Sequence, residues 1–433
     1  MTTTDVRPSG LRRLLESGGL IAVAIVVMNM STYGFQMVAA RLVGPEEYGS
    51  IASLLAIQLV SSVLQLGLQA TAARRIAAAP DDVAEVEHGI LRLGWRAAGA
   101  LTLVLLALSP LISHLLHLQS LYPALLLAVG ALPMNVQGAQ CGILQGERRW
   151  GALALVYLAA GVPRLAIGAI ALSVRATEGA GMAAVALGWI APCAVGWWFL
   201  SRGRHARPRR GGRSVAQRQL ATEVAHSSLA LLGFFALSNI DIVMSRHILT
   251  PHGSGLYAGG LILTKAVLFL PQFVSIVAFP AMSTPAERRT VMLRALGMVA
   301  VVGAGSLVGS VVLADVAMVF VGGSDYDPIR SRLWQFAALG MLLAALQLLV
   351  YSVLARQSRR SAWFIWAAVI VMGLVGWWRI SSMAELLALA TATDAVLFVV
   401  LFGMSLWTMR ADSTESPSVG GVVPTAPGAD THV

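Results

Sequence analysis

Charge is scarce in this chain. Only 12% of its 433 residues are Asp, Glu, Lys or Arg, and a single lysine, Lys265, occurs among them. Cysteine is nearly absent as well: Cys141 and Cys193 both fall inside apolar segments, which excludes a disulfide framework and a thiolate metal site. No GxxxxGK[ST] run occurs, so the chain does not hydrolyse ATP by a P-loop. Nor does an HExxH pair, a cluster of Cys and His or a nucleophile elbow occur, and no polar stretch is long enough to fold as a separate domain. The expectation is a protein that makes no covalent bond, with no resident cofactor or metal.

What is abundant is apolar surface, with 57% hydrophobic residues and a mean hydropathy of +0.74. Such a composition belongs to a chain whose solvent is lipid. Crossing about 30 Å of hydrocarbon takes roughly 20 apolar residues. Twelve stretches of that kind are expected, at residues 18–42, 49–72, 94–114, 121–144, 150–173, 180–201, 221–245, 255–281, 294–320, 332–355, 362–379 and 385–409. The first follows Arg12 and Arg13, is too long for a signal-peptide core and is expected to remain as a span. Beyond about Ala411 the chain turns to Ser, Pro, Gly and Thr, read as a disordered tail.

The cations fix an orientation. Of 31 Lys and Arg, most fall in alternate gaps, among them Arg12, Arg13, Arg74, Arg75, Arg92, Arg96, Arg148, Arg149, the run from Arg202 to Arg218, Arg288, Arg289, Arg359 and Arg360. The other gaps hold only Arg41, Arg175, Arg246, Arg330, Arg332 and Arg379. By the positive-inside rule both termini are cytoplasmic. The formal net charge of +10 is thereby explained by topology and anionic headgroups, not by nucleic acid.

The basic run divides the spans six and six. The domains expected are a cytoplasmic N-terminus (1–17), a six-helix bundle (18–201), an Arg-rich linker (202–220), a second bundle (221–409) and the tail (410–433). A weak repeat supports this division: Asn29, Arg41 and Tyr48 recur as Asn239, Arg246 and Tyr257, and QGERRW at Gln145 is echoed by RQSRRSAW at Arg356. Both halves begin on the same side, so the repeats are parallel, and a substrate site is expected between them.

Four ionisable residues lie inside spans: Arg164, Asp241, Lys265 and Asp394. A charge at mid-bilayer costs about 2.5–3.5 kcal/mol on insertion scales, so such groups face a cavity or a partner. Arg164 and Lys265 suit a phosphate, through forked donors and a point charge. Asp241 and Asp394 would balance those cations or take up a coupling H+ or Na+; a buried Asp241–Lys265 pair is the structural alternative. Amides crowd the first, second and fourth spans, with Asn29, Gln36, Gln65, Asn135 and Gln137 as candidates to contact sugar hydroxyls, beside Thr32, Tyr33, Gln58, Gln69 and Gln140. Interhelical hydrogen bonding is their alternative role. Pro110, Pro133, Pro163, Pro192, Pro271 and Pro280 permit kinks. His114 and His117 are expected at an interface, and Gly44–Gly49 as a loop whose Glu46 and Glu47 cap the second span.

Several segments together resemble the polysaccharide flippases, O-antigen type, of the multidrug/oligosaccharidyl-lipid/polysaccharide (MOP) exporter superfamily. They are AARLVGPEEYGSIASLLAI from Ala39, GLQATAARRIA from Gly67, GILQGERRW from Gly142, SNIDIVMSRHILTPHGSGLYAGG from Ser238 and VFVGGSDYDPI from Val319. The resemblance covers roughly residues 18–405. It implies an all-α, polytopic, MATE-like membrane protein: two six-helix bundles around a cavity that opens alternately to each side, turning over a polyprenyl-linked oligosaccharide in a bacterial inner membrane. It further implies partnership with that substrate, with membrane lipids and with glycosyltransferases or a polysaccharide polymerase. Arg41 and Asp241 match recurrent charged positions of such sequences. The chain departs from the fourteen-span peptidoglycan-precursor flippases, and its first span lacks the acidic residue of some cation-coupled drug antiporters. Such an antiporter is the second reading, and a multi-span glycan polymerase or ligase the third.

Overall fold

In the computed structural model residues 10–78, 83–202, 217–270, 285–355 and 359–414 are described, and every regular element among them is helical. The first half comprises α1 (Gly10–Ser61), α2 (Val63–Ala78), α3 (Val83–Leu115), α4 (Tyr122–Gly146), α5 (Trp150–Val174), α6 (Glu178–Gly188) and α7 (Ile190–Arg202). The second comprises α8 (Gln217–Ile248), α9 (Pro251–Phe269), α10 (Pro285–Val312), α11 (Ala314–Val321), a 3-10 helix (Ser324–Arg332), α12 (Leu333–Ala355), α13 (Arg359–Arg379) and α14 (Met383–Thr414). The first residues, most of the Arg-rich linker, Pro271, Pro280, the start of RQSRRSAW and the far tail lie outside the described residues.

Nine described segments are long and apolar enough to cross a membrane. The first, Gly19–Ala78, holds two passes. Asn29 and Leu59 line the same cavity, although thirty residues of straight helix would set them about 45 Å apart. The chain therefore doubles back at Gly44, where φ is 73° and ψ 176°, a conformation that costs glycine little and a side chain much. The expected loop is thus a one-residue break, and Pro45 restarts the helix with a φ already set for it. With α9 and the apolar part of α13, Trp363–Arg379, the arrangement is consistent with twelve spans.

One span expected to be continuous is interrupted and another is loosened. Pro192 has no N–H for the Gly188 carbonyl, so the helix over 178–202 loses a hydrogen bond beside Trp189, which keeps helical φ and ψ of −74° and −17°. The ninth span breaks at Leu313, whose φ and ψ are −110° and 38°.

Helix pairing repeats between the halves. In the first, α1 packs on α5, α2 on α4 and α3 on α4; in the second, α8 packs on α13, α9 on α12 and α10 on α12. The same three pairings in the same chain order are what duplication of a six-helix unit produces. Close approach of α4 to α2 depends on Gly138, Gly142 and Gly146, one turn apart: a Cβ on either of the first two would overlap the Gln65 or Gln69 carbonyl. Replacing Gly142 by Leu should force the pair apart and destabilise the protein by about 1–3 kcal/mol, read as a lowered Tm in detergent; an unchanged Tm would show this contact to be dispensable.

Large side chains such as Leu103, Ile170, Val301 and Trp378 stand more than two-thirds exposed on the outside of the bundle. In water that surface would aggregate; in a bilayer it is the solvated face.

Candidate functional site

A cavity of about 340 Å³ lies between the halves, walled by α1, α2, α4, α5, α8, α9 and α12 together with Trp189. The arginine-rich gaps of the sequence mark one end of the molecule, here called the basic end, and the opposite side the far end.

Two basic groups, one from each half, line this cavity. Arg164 is carried by α5, which approaches α1 closely because a Cβ on Gly161 would lie 2.8 Å from the Met28 backbone. Its Nη2 donates to Thr32 Oγ1, whose own hydroxyl donates to the Met28 carbonyl at 2.9 Å. The guanidinium carbon sits 5.6 Å from the Trp189 ring centre, a cation–π contact. Lys265 reaches in from α9, where Nζ donates to Asn239 Oδ1, and the Asn239 amide is held by its donation to the Phe235 carbonyl at 2.8 Å. Tyr33 ties the two walls by donating to the Lys265 carbonyl at 2.9 Å.

Three buried donors on cavity-lining side chains have no hydrogen-bond partner: Arg164 Nε, Trp189 Nε1 and Gln58 Nε2. Burying a donor unpaired costs about 1–3 kcal/mol, more when it is charged. No Asp or Glu is among the described residues lining the cavity. Two cations without a lining carboxylate among those residues make a site complementary to an oxyanion.

Of the residues singled out in the sequence, Arg164, Lys265, Asn29, Gln36 and Gln65 line this cavity. Arg41, Asn135 and Gln137 do not. Arg41 is exposed near the far end of α1. Asn135 is fully buried in α4 and donates back to the Ala131 carbonyl at 2.8 Å. Gln137 sits behind Gln65, accepting from its Nε2 at 2.6 Å and donating to Cys141 Sγ at 2.9 Å. An amide in an apolar helix reads alike whether it faces a cavity or a neighbouring helix, and only packing separates the two.

Asp241 and Asp394 also lie off the cavity, buried in the second half. Asp241 does not use its oxygens on Lys265: Oδ2 accepts from the Tyr257 hydroxyl and Oδ1 from the Ile242 N–H, each at 2.8 Å. Asp394 Oδ1 has no hydrogen-bond partner. Trp189, Gln347, Phe35 and Phe269 line the cavity without having been picked out from the sequence.

Contacts between the halves lie toward both ends of the molecule. At the far end Arg246, buried at the tip of α8, donates through Nε to the Leu116 carbonyl at 2.9 Å and through Nη2 to that of His117 at 3.2 Å. The sequence marked Arg246 only as a loop cation and as the repeat counterpart of Arg41. His117 and His114 lie beside this contact; His247 stands between His117 and Trp377, with ring centres 6.3 and 4.0 Å away. Glu47, expected as a simple cap, accepts from the Glu178 N–H at 2.7 Å and so anchors the start of α6. At the basic end Glu223 on α8 is clasped by Arg75 and by Arg74, whose Nη2 lies 2.9 Å from Oε2. Exposed pairs of this sort contribute about 0–1 kcal/mol each, so the basic end is the more weakly fastened.

The same architecture occurs in solved structures. A multidrug resistance MATE family transporter of the MOP superfamily in an inward-facing conformation superposes with a TM-score of 0.71 at 15% identity, covering 91% of this chain and 96% of that one. A MOP superfamily transporter from Pyrococcus furiosus, described as having a binding pocket of reversed polarity, gives 0.63 at 13% identity, with 91% and 96% covered. A eukaryotic MATE transporter gives 0.62 at 14% identity, with 94% and 99% covered. No curated protein sequence matches the chain. A sequence profile described as Polysaccharide biosynthesis protein matches residues 38–331, about two-thirds of the chain. This multi-pass membrane protein, with the fold of the MOP superfamily transporters, belongs to the polysaccharide biosynthesis protein family.

Proposed function

We propose that the protein turns over a polyprenyl-diphosphate-linked oligosaccharide from the cytoplasmic to the outer leaflet of a bacterial inner membrane, by alternating access. The observation that carries this reading is the charge of the central cavity: Arg164 from one half and Lys265 from the other, with no Asp or Glu among its described lining residues. A diphosphate would engage those two cations, and Asn29, Gln36 and Gln65 would meet sugar hydroxyls. Membership in a polysaccharide biosynthesis family agrees with such a substrate. The arginine pattern would place both termini in the cytoplasm, on the side where glycosyltransferases assemble the precursor. Coupling to H+ or Na+, if used, would fall to Asp241 and Asp394, where a buried carboxylate oxygen stands unpaired. Export of an organic cation fits poorly, because such a ligand would meet two positive groups and no lining carboxylate.

The test is genetic and chemical. Cells deprived of the protein should accumulate lipid-linked oligosaccharide on the cytoplasmic leaflet, and the native gene should clear it. Absence of that precursor, together with raised sensitivity to cationic drugs, would transfer the assignment to a drug antiporter.

A further inference from the structure

Beside the polar cavity, toward the basic end, lies a second hollow of about 310 Å³ between the α1–α2 junction, α3 and α8. Its walls are apolar, with Val63 and Leu64 from α2, Leu93 and Leu101 from α3, and Val224 and Leu232 from α8. Two hydroxyls border it, and both are spent on their own helices: Ser61 donates to the Gln58 carbonyl and Ser228 to that of Val224, each at 2.7 Å. The hollow thus offers no spare polar group to a ligand, the opposite of the cavity next to it.

The two spaces share one wall. Leu59, Ser62 and Leu66 face the cavity, whereas Val60, Ser61, Val63 and Leu64 face the hollow, all from one continuous stretch of chain. Between them stands a small cluster of Val63, Leu231 and Phe235, contributed by both halves of the molecule. Arginines ring the basic end of this region: Arg74 and Arg75 lie farther along α2, and exposed Arg92 and Arg96 lie within one turn of Leu93 on α3. Such residues at a membrane interface attract phosphate-bearing headgroups.

A ligand with a charged, hydroxylated head and a long hydrocarbon chain needs a polar site and an apolar one in contact, because moving each buried CH₂ into water costs about 0.8 kcal/mol. We infer that this hollow holds the isoprene units nearest the diphosphate, with the head in the central cavity and the Val63–Leu231–Phe235 cluster as the partition the head must pass. The inference rests on the reading proposed above and adds to it where the lipid chain runs. The chain stays at the seam between the halves, so the head crosses without the tail entering the polar cavity.

The experiment uses the full-length protein in nanodiscs and a polyprenyl diphosphate bearing a diazirine on its first isoprene unit, with cross-linked peptides read by mass spectrometry. The label should fall on α2, α3 and α8, compete with unlabelled polyprenyl diphosphate and resist excess phosphatidylglycerol. Ala97→Trp and, separately, Ala225→Trp should fill the hollow and cut labelling about tenfold or more, while Ile170→Trp on the outer face of α5 should not. Labelling elsewhere, or labelling that the filled variants leave intact, overturns the inference. Equal displacement by phosphatidylglycerol overturns it too, by showing a general phospholipid site. Binding of a water-soluble, short-chain prenyl diphosphate sugar, measured in parallel, separates the two ideas. Head binding that persists while tail labelling lies elsewhere rejects only the hollow; absence of head binding in the native protein rejects the flippase reading itself.

Discussion

Replacing Arg164 with Gln should cost flipping activity heavily while leaving the fold intact or slightly more stable. Hydrogen bonds to a charged group are worth about 1.5–3 kcal/mol, so losing one of them to the diphosphate should weaken engagement by roughly tenfold to a hundredfold or more. The stability half of the expectation follows from what surrounds the side chain. Arg164 is buried, reaches Thr32 and Trp189, and leaves Nε unpaired, so the resting protein carries a charge it does not fully compensate. Removing such a charge relieves a desolvation cost. Arg164→Lys should fall between the two, since it keeps the charge and loses the fork. The measurements are precursor turnover in reconstituted vesicles and Tm of the same preparations. Native turnover in the Gln variant would refute the anion site; a collapse of Tm would show Arg164 to be structural.

The second large effect is expected at the far seal. Gly255, at the start of α9, lies against the restart of the helix after Gly44, and a Cβ there would overlap the Pro45 carbonyl. Gly49 faces it from α1, and the Arg246 bonds to Leu116 and His117 lie on the same level. Backbone cannot yield as a flexible side chain does, so Gly255→Leu should hold the halves apart at this end. A cysteine at Ala52, which lines the cavity, would report the change in a background lacking Cys141 and Cys193. A membrane-impermeant maleimide applied from the far side should label it slowly in the native protein and about tenfold faster or more in the Gly255→Leu variant, with turnover lost because one access state can no longer form. Unchanged labelling would show that closure at this end does not depend on the Gly255–Pro45 contact. The sidedness of the labelling also tests the cytoplasmic orientation drawn from the arginines.

The fold was legible because the bilayer imposes simple rules. An apolar stretch near 20 residues has one sensible conformation, and no backbone group in lipid can be left unpaired, so span positions follow from hydropathy. The parallel halves were foreshadowed by Asn29, Arg41 and Tyr48 with their counterparts, and the pairing of α2 with α4 and of α9 with α12 repeats accordingly. The site was only partly legible. Arg164 and Lys265 stood out as cations in the wrong place, and both line the central cavity. Asn135 and Gln137 looked equivalent to Gln36 and Gln65, yet the first pair is sealed within the helix packing. The repeat does not extend to burial at Arg41, which is exposed although its counterpart Arg246 is buried where the halves meet. A repeat preserves helix positions, while contacts between the halves are made afresh.

By itself the sequence determined the solvent, the number of passes expected, the side on which the positive charge gathers, the absence of the motifs examined for covalent chemistry and the resemblance to a flippase family. Each of these depends on composition or on spacing along one helix. Tertiary structure alone decided that Arg164 and Lys265, one from each half, line a single cavity, that Asp241 bonds Tyr257 and not Lys265, and that Arg246 bonds across the halves at the far end. Those facts concern which helix faces meet. Among helices that are apolar on nearly every side, hydropathy carries no signal for the choice of neighbour, and the decision passes to small residues such as Gly142 and Gly255 that set how closely two backbones can lie.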